Sequence, residues 1–280
     1  MNDIPVYNNK LKWVILAAGL TFLYLPILIL IIYSFNENRL VTVWSGFSLK
    51  WYFELLDDDL LMGGVKLSLL IGFLSASAAV VLGTIAAFVL NRFGKFKGET
   101  GFAFMITAPL VMPEVITGLS LLLLFIAMGQ VFDLFSQRGM MTIWIAHVTF
   151  CTAYVTVVVS SRLQEVDRSI EEAAMDLGAP PWKVFFQITL PSIAPAILAG
   201  WLLAFTLSLD DLVIASFVSG PSATTLPMVV FSSVRLGVSP KINALATLTI
   251  LAVSCATFIA WWMMAKAEKR RLLEAKMSQQ

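Results

Sequence analysis

Apolar residues run along this chain in long blocks separated by short polar breaks. Six windows, 13–35, 67–91, 102–129, 139–161, 193–217 and 242–265, are free or nearly free of Asp, Glu, Lys and Arg. Each exceeds the roughly 20 residues that a helix needs to cross a hydrocarbon core of about 30 Å. Lipid offers no hydrogen-bond partners, so each window must satisfy its own backbone, and an α-helix does so. The pattern predicts an all-α polytopic membrane protein with six transmembrane helices and both termini on one side. The polar breaks then alternate: an outer loop at 36–66, an inner turn at 92–101, an outer loop at 130–138, a long inner loop at 162–192 and an outer loop at 218–241.

Composition agrees with the pattern. Hydrophobic residues make up 59% and charged residues 13%, about half the charge of an ordinary soluble domain. Mean hydropathy is +0.85. Basic residues set the orientation, because Lys and Arg collect on the cytoplasmic side. With the termini cytoplasmic, thirteen of the 19 lie inside, most densely in the turn "RFGKFKG" and the tail "AKAEKRR". A formal net charge of +1 gives no electrostatic footprint for nucleic acid. The first window is longer than the apolar core of a signal peptide, about 7–15 residues, and is read as a retained anchor. Cys151 and Cys255 both fall inside windows and have neither disulfide nor metal spacing. "DDD" at 57–59 reads as a solvated loop feature. His147, the only histidine, reads as a satisfied packing residue.

The inner loop breaks the apolar pattern most sharply. In "SIEEAAMDLGAPPWKVFFQITLP", residues 169–191, Ser169 and Glu172 have the spacing of a capping box, which predicts a helix from Ile170. Ile170, Ala173, Ala174 and Leu177 then form one apolar stripe, small enough for another backbone to approach. Gly178 stands where a left-handed C-terminal cap is expected, and Pro180 and Pro181 stop the helix. A second short helix is expected near Trp182, with Pro191 and Pro195 marking re-entry into the membrane. Glu171, Glu172 and Asp176 would be repelled by anionic headgroups, unlike the basic face of a membrane-lying helix. The loop therefore reads as a socket for a soluble cytoplasmic partner.

The same residues resemble a known signature: E-A-A, three residues, G, nine residues, I, one residue, L-P. Here it is carried by Glu172, Ala173, Ala174, Gly178, Ile188, Leu190 and Pro191, with every spacing kept. This is similar to the loop of ABC importer permeases. The resemblance implies that the loop, with Leu177, couples to a separate ATP-hydrolysing subunit. It implies a type I ABC importer transmembrane fold in a bacterial inner membrane and no enzymatic activity or cofactor in this chain, ATP being used by the partner. It further implies a second homologous permease, most simply as a heterodimer, two ATPase copies and a periplasmic binding protein. The domain plan it implies is an anchor helix and outer loop at 1–64, a permease domain at 65–262 containing the coupling loop 162–192, and a basic cytoplasmic tail at 263–280. "FMITAPLVMPEVITGLSLLLLF", "AFTLSLDDLVIASFVSGP" and "SPKINALAT" look like the polyamine branch of these permeases. That branch implies a polyamine-binding protein as the delivering partner and putrescine as cargo, with spermidine or another small cationic solute as the alternative.

Three acids interrupt the windows: Glu114, Asp210 and Asp211. A carboxylate at mid-bilayer costs about 2.5–3.5 kcal/mol on insertion scales, so such groups mark pathways. At 1.5 Å per residue, Glu114 and Asp210 stand roughly 20 and 25 Å above the inner face and so at similar heights. They are expected to line one cavity and attract an organic dication. Helical geometry alone does not choose between Asp210 and Asp211, which point about 100° apart. Pro109 and Pro113 should kink or break the span that carries Glu114. Two other classes would use the same residues differently. A proton-coupled carrier would use the acids as relays, and an intramembrane enzyme would need His147 beside a Ser or Asp. The chain has no phosphate-loop, H-E-x-x-H or G-x-S-x-G sequence.

Overall fold

The computed structural model describes residues 9–40, 43–132, 137–237 and 239–277. In chain order the helices are α1 Asn9–Ser34, α2 Lys50–Leu56, α3 Asp59–Arg92, α4 Glu99–Val111, α5 Glu114–Phe132, α6 Met140–Glu165, α7 Arg168–Asp176, α8 Pro181–Val184, a π-helical turn Phe185–Thr189, α9 Leu190–Asp210, α10 Val213–Val218, α11 Leu226–Leu236 and α12 Pro240–Met277. Among the described residues the fold is helical with one isolated bridge, Asn36–Phe47, and no strand. Five stretches are long and apolar enough to cross a membrane: Leu11–Ser34, Asp59–Arg92, Glu114–Phe132, Met140–Glu165 and Pro181–Asp210. The sixth predicted window lies on α12, where many side chains fall outside the described residues. Residues 133–136 of the predicted outer loop 130–138, and 238 of 218–241, also fall outside them.

The chain divides into two compact units, one made of the residues up to Asp59 and from Ser233 onward, the other of Leu60–Ser232. In the first, α1 packs along α12 and α2 packs against α12. Residues 41–42 of the predicted outer loop 36–66 lie outside the described residues, and the described ones make more buried contacts than the loop's polarity suggests. Asn36 is fully buried, its Nδ2 donates to Val43 O at 2.7 Å, and Trp51 Nε1 donates to Asn36 O at 2.6 Å. Asp58, read as part of a solvated run, instead accepts a charged contact from Lys241 Nζ at 3.1 Å, and Asp59 opens α3. The run is local in sequence but its partner is 183 residues away, which the pattern alone could not reveal.

In the second unit, α6 is the central helix, packed along α4 and most extensively along α9. Its inner face carries Ile143, Ala146, Cys151, Val155 and Val159, all fully buried. The buried side of α3 is small: Gly72, Ser75, Ala76, Ala79, Gly83 and Ala87, with Gly83 against Val155 of α6 and Gly72 against Phe205 of α9. Lipid supplies no hydrophobic drive between helices, so close backbone approach through small residues is the main source of packing.

Two predicted spans turn out to be broken. Window 102–129 holds α4 and α5, separated at Met112–Pro113; Met112 is extended, with φ −75° and ψ 135°, the conformation a following proline enforces. Pro113 and not Pro109 makes the break, since Pro109 lies inside α4. Window 193–217 holds α9 and α10, separated at Asp211–Leu212. No single helical face therefore continues from Asp210 or Asp211 into α10. The second short helix also differs from expectation. From Pro181 the chain runs without interruption through the π turn into α9. Leu190 N–H reaches back five residues to Phe185 O, and this wider turn just ahead of Pro191 accommodates the proline without ending the helix.

Candidate functional site

The three intramembrane acids come together at the two helix breaks. Glu114 is the first residue of α5, Asp210 is the last of α9, and Asp211 follows it as the extended residue between α9 and α10. All three line one cavity of about 300 Å³, with Pro109, Met112, Thr117, Phe150, Tyr154 and Leu207 among its walls. Glu114 and Asp210 are exposed within the chain, and Asp211 is 9% exposed. Among the described residues no three His, Cys, Asp or Glu side chains converge in a metal-holding arrangement. The acids are spread along the cavity beside two aromatic rings, which suits an extended ligand with separated positive ends and an apolar stem.

Asp211 is committed elsewhere. Its Oδ1 accepts from Ile214 N–H at 3.3 Å and its Oδ2 from Ala215 N–H at 2.7 Å. These are two of the otherwise unsatisfied donors at the start of α10, so Asp211 caps that helix. The Asp211 Oδ2 atom also lies 3.2 Å from His147 Nε2, and His147 Nδ1 lies 2.6 Å from Ser208 Oγ. His147 and Ser208 are 1% and 4% exposed. The histidine is thus a satisfied buried group, as expected from its position. Although a Ser–His–Asp chain exists, neither Ser208 nor His147 lines the cavity, so the hydroxyl is not presented to a substrate. The remaining supports of α10 come from α5 and α6. Gly118 lets α5 approach α10, since a Cβ there would lie 2.8 Å from Phe217 Cδ2. At the far end, Thr142 Oγ1 donates to Val218 O at 2.7 Å and Arg138 to Phe217 O at 3.3 Å.

The inner loop forms a second candidate site. Helix α7 starts two residues earlier than the capping box predicts, because Asp167, not Ser169, is the N-cap; its Oδ1 accepts from Ser169 N–H at 2.9 Å. That hydrogen bond holds the Asp167 carboxyl below the usual carboxylate range. Gly178 has φ +86°. Its N–H donates to Met175 O and Ala179 N–H donates to Ala174 O, at 2.9 and 3.1 Å, the paired bonds of a Schellman cap.

Of the predicted coupling residues, Glu172, Ala173, Leu177 and Gly178 are exposed and Ala174 is half-buried. Leu177 is 90% exposed, which leaves an apolar side chain projecting from the loop. Ile188 lies in the π turn, while Leu190 and Pro191 open α9 rather than sharing the α7 face.

Sequence reasoning missed the anchor of this loop. Glu171, read as part of an acidic outer face, is buried and paired with Arg92 at 2.8 Å, and Thr189 Oγ1 donates to Glu171 Oε1 at 2.8 Å. One carboxylate therefore ties α7 to the end of α3 and to the π turn. Arg168, at the start of α7, adds a hydrogen bond to Asn91 O. The signal available in the sequence was only the basic end of α3, and nothing in spacing links it to Glu171.

Comparison with known proteins adds the following. A family described as "Binding-protein-dependent transport system inner membrane component" matches residues 79–272. The putrescine transport system permease protein PotI of Escherichia coli (strain K12) is 68% identical over 272 residues, covering 97% of both chains. The spermidine/putrescine transport system permease protein PotC of the same organism is 40% identical over 251 residues, covering 90% of this chain and 92% of that one. Among solved structures, a chain of a bacterial ABC transporter involved in the import of the acidic polysaccharide alginate superposes with a TM-score of 0.72 at 16% identity, covering 92% of this chain and 98% of that one. A chain of the MetNI methionine ABC transporter in an inward-facing conformation superposes at 0.55 with 16% identity, covering 71% of this chain and 92% of that one. At those identities the superpositions speak to the fold.

Proposed function

Because this chain belongs to the family of binding-protein-dependent transport system inner membrane components, we propose that it imports putrescine as one half of an ATP-driven permease, with spermidine as the competing cargo. Membership makes it a multi-pass inner-membrane transport subunit and not an enzyme. It works with a permease partner, an ATPase and a binding protein. In the proposed assembly the permease partner is a different but homologous chain, two ATPase copies sit on the cytoplasmic side, and a periplasmic polyamine-binding protein delivers the cargo.

The observation that carries the cargo reading is the cavity between the two helix breaks, where Glu114 and Asp210 stand open beside Phe150 and Tyr154. Two carboxylates match two ammonium groups, and the rings and Leu207 match the methylene stem. Asp211 lines the same cavity, but its cap and its contact with His147 leave it less free to receive cargo. Open carboxylates at mid-membrane depth cannot face lipid without a large cost. The face that carries Glu114 and Asp210 is therefore the one covered by the partner permease and the aqueous path.

The coupling reading follows the loop. Glu172, Ala173, Ala174, Leu177 and Gly178 form the surface that meets the ATPase, while Ile188, Leu190 and Pro191 shape the return into α9. Glu171 joins α7 to α3 and to the π turn, so α7 moves with both. Helix α9 then carries the displacement over its 21 residues, about 30 Å, to Asp210. A movement driven by nucleotide at the inner end thereby reorients a carboxylate in the cavity.

Uptake of labelled putrescine by the reconstituted complex, with spermidine and other amines as competitors, tests the cargo. Saturable uptake inhibited by polyamines and not by zwitterionic or anionic solutes is expected. Uptake driven by a proton gradient without ATP would overturn the reading. Gly178→Val tests the coupling surface. A β-branched residue at φ +86° is strained, so less ATPase should co-purify with the variant; a full complement would count against this surface.

A further inference from the structure

Two adjacent acids, Asp210 and Asp211, have opposite fates, one open and one buried. The answer lies outside the cavity wall. His147 on α6 spans from Ser208, one helical turn before Asp211 on α9, to Asp211 itself. An imidazole between a hydroxyl and a carboxylate is directional. With Asp211 accepting at Nε2, the Nε2–H is the donor, and Ser208 O–H donates to Nδ1. Asp211 then receives three donors: His147 Nε2–H and the backbone N–H groups of Ile214 and Ala215. That number of donors satisfies the carboxylate within the protein and fixes its direction toward α10 and α6. The neighbouring peptide is fixed as well, and Asp210, at the end of α9, is left directed to the cavity.

We propose that His147 and Ser208 are positioning residues for cargo capture: they clamp Asp211 into the α9–α10 break, so that Asp210 is the carboxylate presented to an ammonium group. Neither residue touches the cargo. This inference rests on the reading of the cavity as an organic-cation site. Its consequence is specific: loosening the clamp should weaken capture more than it slows turnover, because the coupling loop and the loop-proximal part of α9 are untouched.

The experiment uses the assembled transporter, reconstituted with its binding protein, and measures putrescine uptake against concentration. Ser208→Ala removes only a hydroxyl, so it is the primary variant. A rise in KM of about fivefold or more is expected, with the maximal rate changing less than KM. His147→Leu, which removes both contacts, should raise KM further, and His147→Gln, whose amide can donate to Asp211, should recover part of the loss. A KM rise below about fivefold for Ser208→Ala, or a fall in maximal rate at unchanged KM, would overturn the clamp. If His147→Leu does not assemble, Ser208→Ala and His147→Gln decide alone. Asp210→Asn and Glu114→Gln, run beside them, separate the cation site from the clamp. If they leave KM unchanged, the cation site itself fails. If they raise KM while Ser208→Ala and His147→Gln do not, the cation site stands and the clamp falls.

Discussion

The two helix breaks that frame the cavity are made by opposite means. At α4–α5 the backbone does it: Pro113 forces Met112 out of the helical region and opens α5, where Ile116 N–H and Thr117 N–H both donate to Pro113 O. At α9–α10 no proline is near, and side chains do it. Asp211 caps α10, and the histidine and serine behind it hold the cap in place. A proline break persists whatever surrounds it. A capped break lasts only as long as its partners stay aligned. One side of the cavity is thus fixed by covalent structure and the other is held by contacts that a movement of α6 against α9 can change.

Substitutions can break or sharpen that contrast. The largest effect is expected from Asp211→Ala, which removes the cap and leaves His147 buried without its acceptor. A lost cap costs about 1 kcal/mol and an unpaired buried polar group about 1–3 kcal/mol, so the apparent melting temperature of the purified complex should drop by several degrees. Asp210→Asn should leave that temperature in place and raise KM for putrescine about tenfold, the loss of one charged hydrogen bond; uptake assays check it. Pro113→Ala should cost less than Asp211→Ala, about 1 kcal/mol or under, through the freedom it returns to the unfolded chain. If thermal unfolding ranks Pro113→Ala as the more damaging change, the contrast between the breaks is inverted.

The smallest effect is expected at the inner loop. Asp167→Ala should alter uptake within about twofold. Because the folded Asp167 carboxyl lies below its ordinary value, its capping contribution is complete at neutral pH and fades only as pH falls through that lowered value. Circular dichroism of the Asp167→Ala protein should therefore differ from the parent near neutrality and converge with it in acid.

What could be read in advance divides along the same line. Long apolar windows, the Pro113 break and the left-handed Gly178 follow from local chemistry, and the chain shows each of them. So does the meeting of Glu114 with Asp210 and Asp211, because helix rise alone puts them at similar height. The α9–α10 break was hidden because an Asp in an apolar run looks the same whether it lines a pathway or caps a helix. His147 tells the two apart, and it lies 64 residues before Asp211 on another helix; Ser208, three residues before Asp211, matters only through that histidine. Glu171 was hidden for a similar reason: on the α7 surface it reads as one of several acids, and its burial depends on Arg92 from α3. The N-cap shifted from Ser169 to Asp167 because the Asp167 carboxylate accepts from Ser169 N–H and so opens the helix two residues upstream of the hydroxyl. The continuous helix through Pro191 required the π turn, which proline counting does not foresee.

That π turn has a consequence for how the chain tolerates change. Phe185–Thr189 holds one residue more than a regular helical pitch needs. Deleting a single residue there would close the turn to ordinary pitch and keep both ends in phase. The same deletion elsewhere between Pro181 and Asp210 would swing one end about 100° around the axis and aim Asp210 at the wrong wall. The rod between loop and acid thus carries its slack at one marked joint, and single-residue deletions in this stretch are expected to survive only there.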